Sequence, residues 1–298
     1  MKKFIVTILS YLIATFLIMF ALDFGYTKVY ENAKPRTKFQ YLRSLKNKQF
    51  DYIFLGSSRV ENGIIPAIIK EKTGKETLNL GFQASKLNDI YTVLQLLKEY
   101  NIQGKRIFIQ IDYIYNLKGN SKILQYQMIP FINENEVLNK HFKNNSKDYL
   151  GYNYVPFYRY SRNDLKLNFR EILLSVAKKK TNVMQGNGYA PKFGISENHR
   201  LTLPKELDKE NIVFDSIIKY IEKNKINATF YCAPFCYHGK NMEFTTKLKN
   251  KVPNFYDFSR AVSDEKLFQN SSHLNHEGAI YFTDIFINQV LLKKKNTE

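Results

Sequence analysis

From Phe4 to Leu22 the chain carries 19 successive uncharged residues, rich in Ile, Leu and Phe. A helix of that length spans about 28 Å, close to the hydrocarbon thickness of a bilayer. A buried core helix of the same length would keep a polar stripe, and none is present. A cleaved signal peptide needs a shorter apolar region and a small-x-small cleavage site, which Phe20-Ala21-Leu22-Asp23 fits poorly. The pattern therefore predicts a transmembrane anchor over 1–22 and a basic juxtamembrane connector over 23–50. Lys2, Lys3 and the amino terminus face Lys28, Lys34 and Arg36 across the span, so the positive-inside count is nearly tied. A short cytoplasmic stub ahead of an extracytoplasmic domain is the expected arrangement.

Beyond residue 50, short apolar runs closed by turn residues alternate with helical periodicity. Residues 51–56 (Asp-Tyr-Ile-Phe-Leu-Gly), 77–82 and 106–112 read as buried strands, and 228–233 and 255–258 as two more. Leu87, Ile90, Val93, Leu94 and Leu97 predict a helix over 86–100. Further helices are expected over 206–224 and from 276 to about 293. Alternation fails between 113 and 205, an aromatic, Asn- and Lys-rich insert. It contains one helical pattern, with Leu165, Phe169, Ile172, Leu173 and Val176 on one face. Strands alternating with helices imply an α/β fold, a flavodoxin-like parallel sheet in a three-layer α/β/α arrangement within a 51–298 domain. Ligands of such sheets bind beyond the carboxyl ends of the strands. That directs attention to the loops after Gly56, Gly81, Asp112 and Ala233.

Composition narrows the class. At 44% hydrophobic and 15% aromatic the chain is not a disordered one, and two cysteines exclude a disulfide-stapled scaffold or a four-thiolate zinc module. A formal net charge of +18 favours anionic partners: nucleic acid, phospholipid headgroups or anionic surface polymers. No zinc finger, arginine-rich helix or RNA-binding aromatic motif accompanies it, so nucleic acid is not expected.

The loop after the first strand reads Gly56-Ser57-Ser58-Arg59. A serine at a strand-to-helix turn exposes its hydroxyl beside the helix's first N–H groups, where developing negative charge is stabilised. The same pattern also describes a plain turn with a serine N-cap. No Gly-Lys-Ser/Thr follows, so a phosphate-binding P-loop is not supported. Near the other terminus stands Asn270-Ser-Ser-His273-Leu-Asn275-His276-Glu-Gly278. His276 lies three residues from His273, but no cysteine or carboxylate spacing completes a metal set. No metal or other cofactor is expected.

Together, Gly-Ser-Ser-Arg after the first strand and His-Leu-Asn-x-x-Gly before the last helix resemble the SGNH (GDSL-like) hydrolase superfamily. The likeness is closest to its membrane-anchored branch acting on cell-surface polymers, and covers 51–112 and 206–293. It implies Ser58 as nucleophile, His273 as base, and the N–H groups of Ser58 and Gly81 as oxyanion donors. The family's oxyanion asparagine, normally after the third strand, corresponds to Asn116, four residues past Asp112. The family's acid, three residues before its histidine, is here Asn270.

The implied activity is serine-dependent acyl-ester chemistry, as O-acyltransferase or esterase, on an extracytoplasmic glycan or wall polymer. Its implied partner is a membrane-bound O-acyltransferase. Because Asn270 replaces the carboxylate, a non-catalytic polymer-docking or assembly module stands as the alternative. Arg59 is either a holder of an anionic polymer group or a surface ion-pair residue. Tyr149, Tyr152, Tyr154, Phe157, Tyr158 and Tyr160 either line a sugar-stacking groove or pack a lid. Cys232 and Cys236 either pair or remain buried thiols.

Overall fold

A computed structural model describes residues 1–179, 181–195, 201–236 and 239–292. The chain forms two compact units, Met1–Gln40 with Gln125–Asn182, and Tyr41–Leu124 with Val183–Glu298. The connector and the insert anticipated from the sequence are divided between them.

In the first unit, helix α1 (Lys2–Asn32) holds the whole apolar run and continues ten residues past it. It is long and apolar enough to cross a membrane, and among the described residues nothing buries its apolar window. Beyond Leu22 the insert packs against it. Tyr26 meets Phe157 edge-on with centroids 5.0 Å apart, and the Tyr160 ring lies 5.2 Å from Tyr26 and 6.1 Å from Tyr30. Tyr152 and Tyr160 are buried there. Thus part of the tyrosine cluster packs on α1 and on itself. The helical pattern around 165–176 breaks at Asn168, whose extended backbone and side chain cap a new helix, Phe169–Val176. Of its expected core face only Ile172 is buried; Leu165, Phe169, Leu173 and Val176 are exposed.

The second unit is α/β. Its sheet has five parallel strands: β1 (Gln49–Gly56), β2 (Thr77–Gly81), β3 (Gln103–Gln110), β4 (Ala228–Cys232) and β5 (Phe255–Asp257). They lie in the order β2-β1-β3-β4-β5, so strand order reverses between β1 and β3. Ile53, Phe54, Leu55, Phe108 and Ile109 have no exposed surface, which explains why these strands read as unbroken apolar runs: side chains on both faces of the sheet are buried. Burying each such side chain is worth about 1.5–3 kcal/mol.

A hairpin that periodicity did not suggest precedes the last helix. In it β6 (Phe268–Asn270) pairs antiparallel with β7 (His273–Leu274), and Asn270 lies opposite His273. The last helix, His276–Phe286, docks through Phe286, whose ring lies 5.1–5.2 Å from those of Phe108, Phe54 and Tyr231. That contact fixes the hairpin relative to the sheet.

Candidate active site

The two serines after β1 divide two tasks. Ser57 is the N-cap of the short helix Ser58–Glu61: its hydroxyl accepts the Arg59 N–H and donates to Gln110 Oε1 at 2.9 Å. Ser58, one residue on, is thereby left free of capping, and its Oγ stands 2.7 Å from His273 Nε2, 215 residues away in the chain. Its backbone N–H meets no acceptor among the described residues, as befits the first turn of a helix.

The tautomer of His273 follows from the hairpin. Asn270 Oδ1 accepts the backbone N–H groups of Ser272 and His273, each at 3.0 Å, so that atom must be oxygen. The same oxygen lies 3.0 Å from His273 Nδ1, which must therefore carry the proton. Nε2 is left with its lone pair, so the Ser58 hydroxyl donates to it. Burial pushes the His273 pKa down to about 4, helped by the positive charges of Arg59 and Lys192. At neutral pH the imidazole is uncharged.

Arg59 is neither at the surface nor open to a substrate, contrary to both expectations. It is buried and ion-paired with Asp112. Its Nε donates to the Ser272 carbonyl at 3.1 Å, and one terminal nitrogen donates to the Ala233 and Pro234 carbonyls, each at 2.6 Å. The guanidinium also lies 3.5 Å above the Phe235 ring centre. Burial opposes its charge, but Asp112, acting together with Cys232 and Tyr113, offsets this and holds its pKa above the usual value. Arg59 thus ties the Ser58 turn to the end of β3, the loop after β4 and the His273 hairpin. Gln110 completes the network: its Oε1 accepts the Ser57 N–H at 2.8 Å and its Nε2 donates to Asp112 at 2.5 Å. Sequence reasoning missed Gln110 and Asp112 as site-forming residues. The signal was two polar residues closing a strand otherwise read as fully buried.

The remaining nominated residues are placed differently. The Gly81 N–H already donates to Asn79 Oδ1 at 3.0 Å. A Cβ there would lie 2.3 Å from Glu61 N and 2.6 Å from Ser57 O, so glycine is what lets the Ser58 helix cross β2 so closely. Asn116 is spent elsewhere. Its Nδ2 donates to Glu206 O at 2.8 Å and its Oδ1 accepts the Asp208 N–H at 3.1 Å, so it does not serve as a donor to the site. His276 Nδ1 lies 2.9 Å from the Tyr189 hydroxyl. Among the described residues no cluster of three or more His, Cys, Asp or Glu is arranged to hold a metal. Cys232 and Cys236 are buried thiols that form no disulfide.

One element beside the site carried no motif. Segment 189–195 is pinned at Ala190, which exchanges hydrogen bonds with Glu61 O and Asn62 Nδ2, and at Gly194, whose carbonyl accepts from Asn275 Nδ2. Glu61 and Asn62 follow Ser58, and Asn275 follows His273. Lys192 lies between the two pins, partly buried, followed by exposed Phe193.

Compared with known protein families and with curated proteins, the chain matches none.

Proposed function

We propose that this is an SGNH-like, serine-dependent acyl-ester enzyme, an O-acyltransferase or esterase, acting on an extracytoplasmic polysaccharide or wall polymer. On this reading the second unit is a three-layer, flavodoxin-like domain held at the membrane by α1 with its amino terminus in the cytoplasm. A membrane-bound O-acyltransferase supplies the acyl group. The observation that carries the reading is the 2.7 Å contact of Ser58 Oγ with an unprotonated His273 Nε2.

In the reaction, the Ser58 proton passes to Nε2 as Oγ forms a bond to the acyl carbon. The Ser58 N–H faces the resulting oxyanion, and the Gly81 N–H joins it only by leaving Asn79. Collapse breaks the ester C–O bond, and the departing alkoxide takes the proton from Nε2. A sugar hydroxyl (transfer) or water (hydrolysis) then gives its proton to Nε2 as it attacks the acyl-serine; collapse breaks the acyl C–Oγ bond, and Nε2 returns the proton to the departing Ser58 Oγ.

A base held at about 4 is weaker than general-base catalysis at neutral pH prefers. Lys192 contributes to that weakness. An anionic group on the polymer that pairs with Lys192 neutralises this charge and strengthens the base when substrate is bound. Lys192 takes the anion-holding role that Arg59 does not fill.

The second reading, a non-catalytic polymer-docking module, is favoured by Asn270 in the acid's position and by the engaged Gly81 N–H. A fluorophosphonate probe discriminates the two. Labelling of the wild type that is lost in Ser58→Ala and slowed at least 100-fold in His273→Ala supports the enzyme. No labelling, or equal labelling of Ser58→Ala, supports the docking module.

A further inference from the structure

The uncharged run of α1 ends at Leu22, and the helix continues to Asn32. Asp23 to Thr27 covers about 6 Å of helix axis, comparable to one headgroup layer of roughly 5–8 Å. The insert is fastened to α1 over that interval. Arg159, itself buried, grips Asp23 through two nitrogens at 2.5 and 3.2 Å and donates to Thr27 Oγ1 at 2.8 Å. The Phe157 N–H donates to Asp23 Oδ2 at 2.9 Å, and the Tyr160 hydroxyl lies 2.7 Å from Thr27 Oγ1. Phe157 adopts a left-handed backbone, φ 62°, to make its contact, a conformation a bulky residue holds only when its surroundings impose it.

Around this fastening the insert exposes apolar side chains that none of the described residues covers: Leu150 and Tyr154 at 68% exposure each, Val155, and Leu165 at 92%. Leu150 and Tyr154 share one face of the helix Tyr149–Tyr154, four residues apart. Lys147, Arg162 and Lys166 are exposed beside them. Resting on the reading of α1 as a bilayer span, we infer that residues 147–166 form an interfacial collar. Leu150, Tyr154, Val155 and Leu165 seat in the headgroup–acyl boundary of the bilayer from which α1 emerges, and the three cations meet lipid phosphates. An exposed apolar patch needs an occupant. The occupant this depth and composition fit is lipid, with a tyrosine at the level where aromatic residues concentrate in membrane proteins. The collar fixes the tilt and rotation of the anchor, which one helix alone leaves free.

The test uses the full chain in phosphatidylcholine–phosphatidylglycerol vesicles, with a bimane label on single cysteines at Leu150→Cys, Tyr154→Cys and Leu165→Cys. These side chains are exposed, and the two native cysteines are fully buried and escape the label. Nitroxide lipids labelled at the headgroup are expected to quench all three labels at least twofold, and more strongly than lipids labelled deep in the acyl chain. Leu12→Cys reports on the anchor by the opposite order. If Leu12→Cys is quenched from depth and the other three stay bright, the collar is overturned and the span stands. If Leu12→Cys is not quenched, the span fails and the collar fails with it. Collar labels shielded from aqueous iodide yet untouched by either lipid quencher mean a protein covers this face, which also overturns the proposal.

Discussion

Asn270 Oδ1 receives His273 Nδ1 and, at the same 3.0 Å, the His273 backbone N–H. With the Ser272 N–H, three N–H donors converge on one neutral oxygen, an environment suited to an anion. Asn270→Asp supplies it. The carboxylate favours the imidazolium, so the His273 pKa rises by about 1–3 units from its value of about 4. If the proposed acyl chemistry operates, its rate in Asn270→Asp is expected to exceed wild type by roughly tenfold or more, since the imidazolium formed in the reaction gains a counter-charge. An NMR titration of the ring and esterase kinetics measure the two effects.

Lys192 lowers the His273 pKa, so Lys192→Ala raises it, and on the proposed reading acid inactivation of the esterase activity moves to higher pH. On the same reading the variant also loses the proposed pairing partner of an anionic substrate. KM for an acidic acetyl ester is expected to rise several-fold while KM for a neutral ester stays unchanged. Equal effects on both esters would remove Lys192 from substrate binding.

Arg59 and Asp112 form a buried pair, and removing one partner leaves the other charge uncompensated. Arg59→Ala is expected to cost about 3–5 kcal/mol in unfolding free energy. Arg59→Lys keeps the charge but not the fork that reaches both Ser272 and the β4 loop. It is expected to slow neutral and anionic esters by the same factor, which separates a scaffold residue from a substrate-binding one.

Acid weakens the fold through its buried histidines. Burial lowers the His141 pKa to about 4, against an ordinary value of 6.5. Below pH 6.5 the unfolded chain takes up a proton that the folded one refuses, so stability is full above 6.5 and falls as pH drops toward 4. For His141 the loss amounts to about 3 kcal/mol. Melting temperatures measured between pH 7 and pH 4 are expected to fall, and less steeply in His141→Phe.

The sequence by itself determined the elements whose physics is local. Nineteen uncharged residues specify a long apolar helix whatever surrounds it, and the unbroken runs through Phe54 and Phe108 specify strands covered on both faces. It also nominated Ser58 and His273, through the resemblance of their flanking motifs to a known hydrolase family. What only the tertiary structure decided depends on groups distant in the chain. Strand order and the docking of Phe286 bring the Ser58 hydroxyl within 2.7 Å of an imidazole 215 residues away. The hairpin turns Asn270 into the acceptor that sets the histidine tautomer. Arg59 becomes an internal strut because Asp112, Ala233, Pro234 and Ser272 surround it, and no local pattern announces four partners from three other segments. Leu165, Phe169, Leu173 and Val176 have the spacing of a core face and stand exposed. Periodicity records which residues share a side of a helix; whether that side meets protein is settled by what packs there.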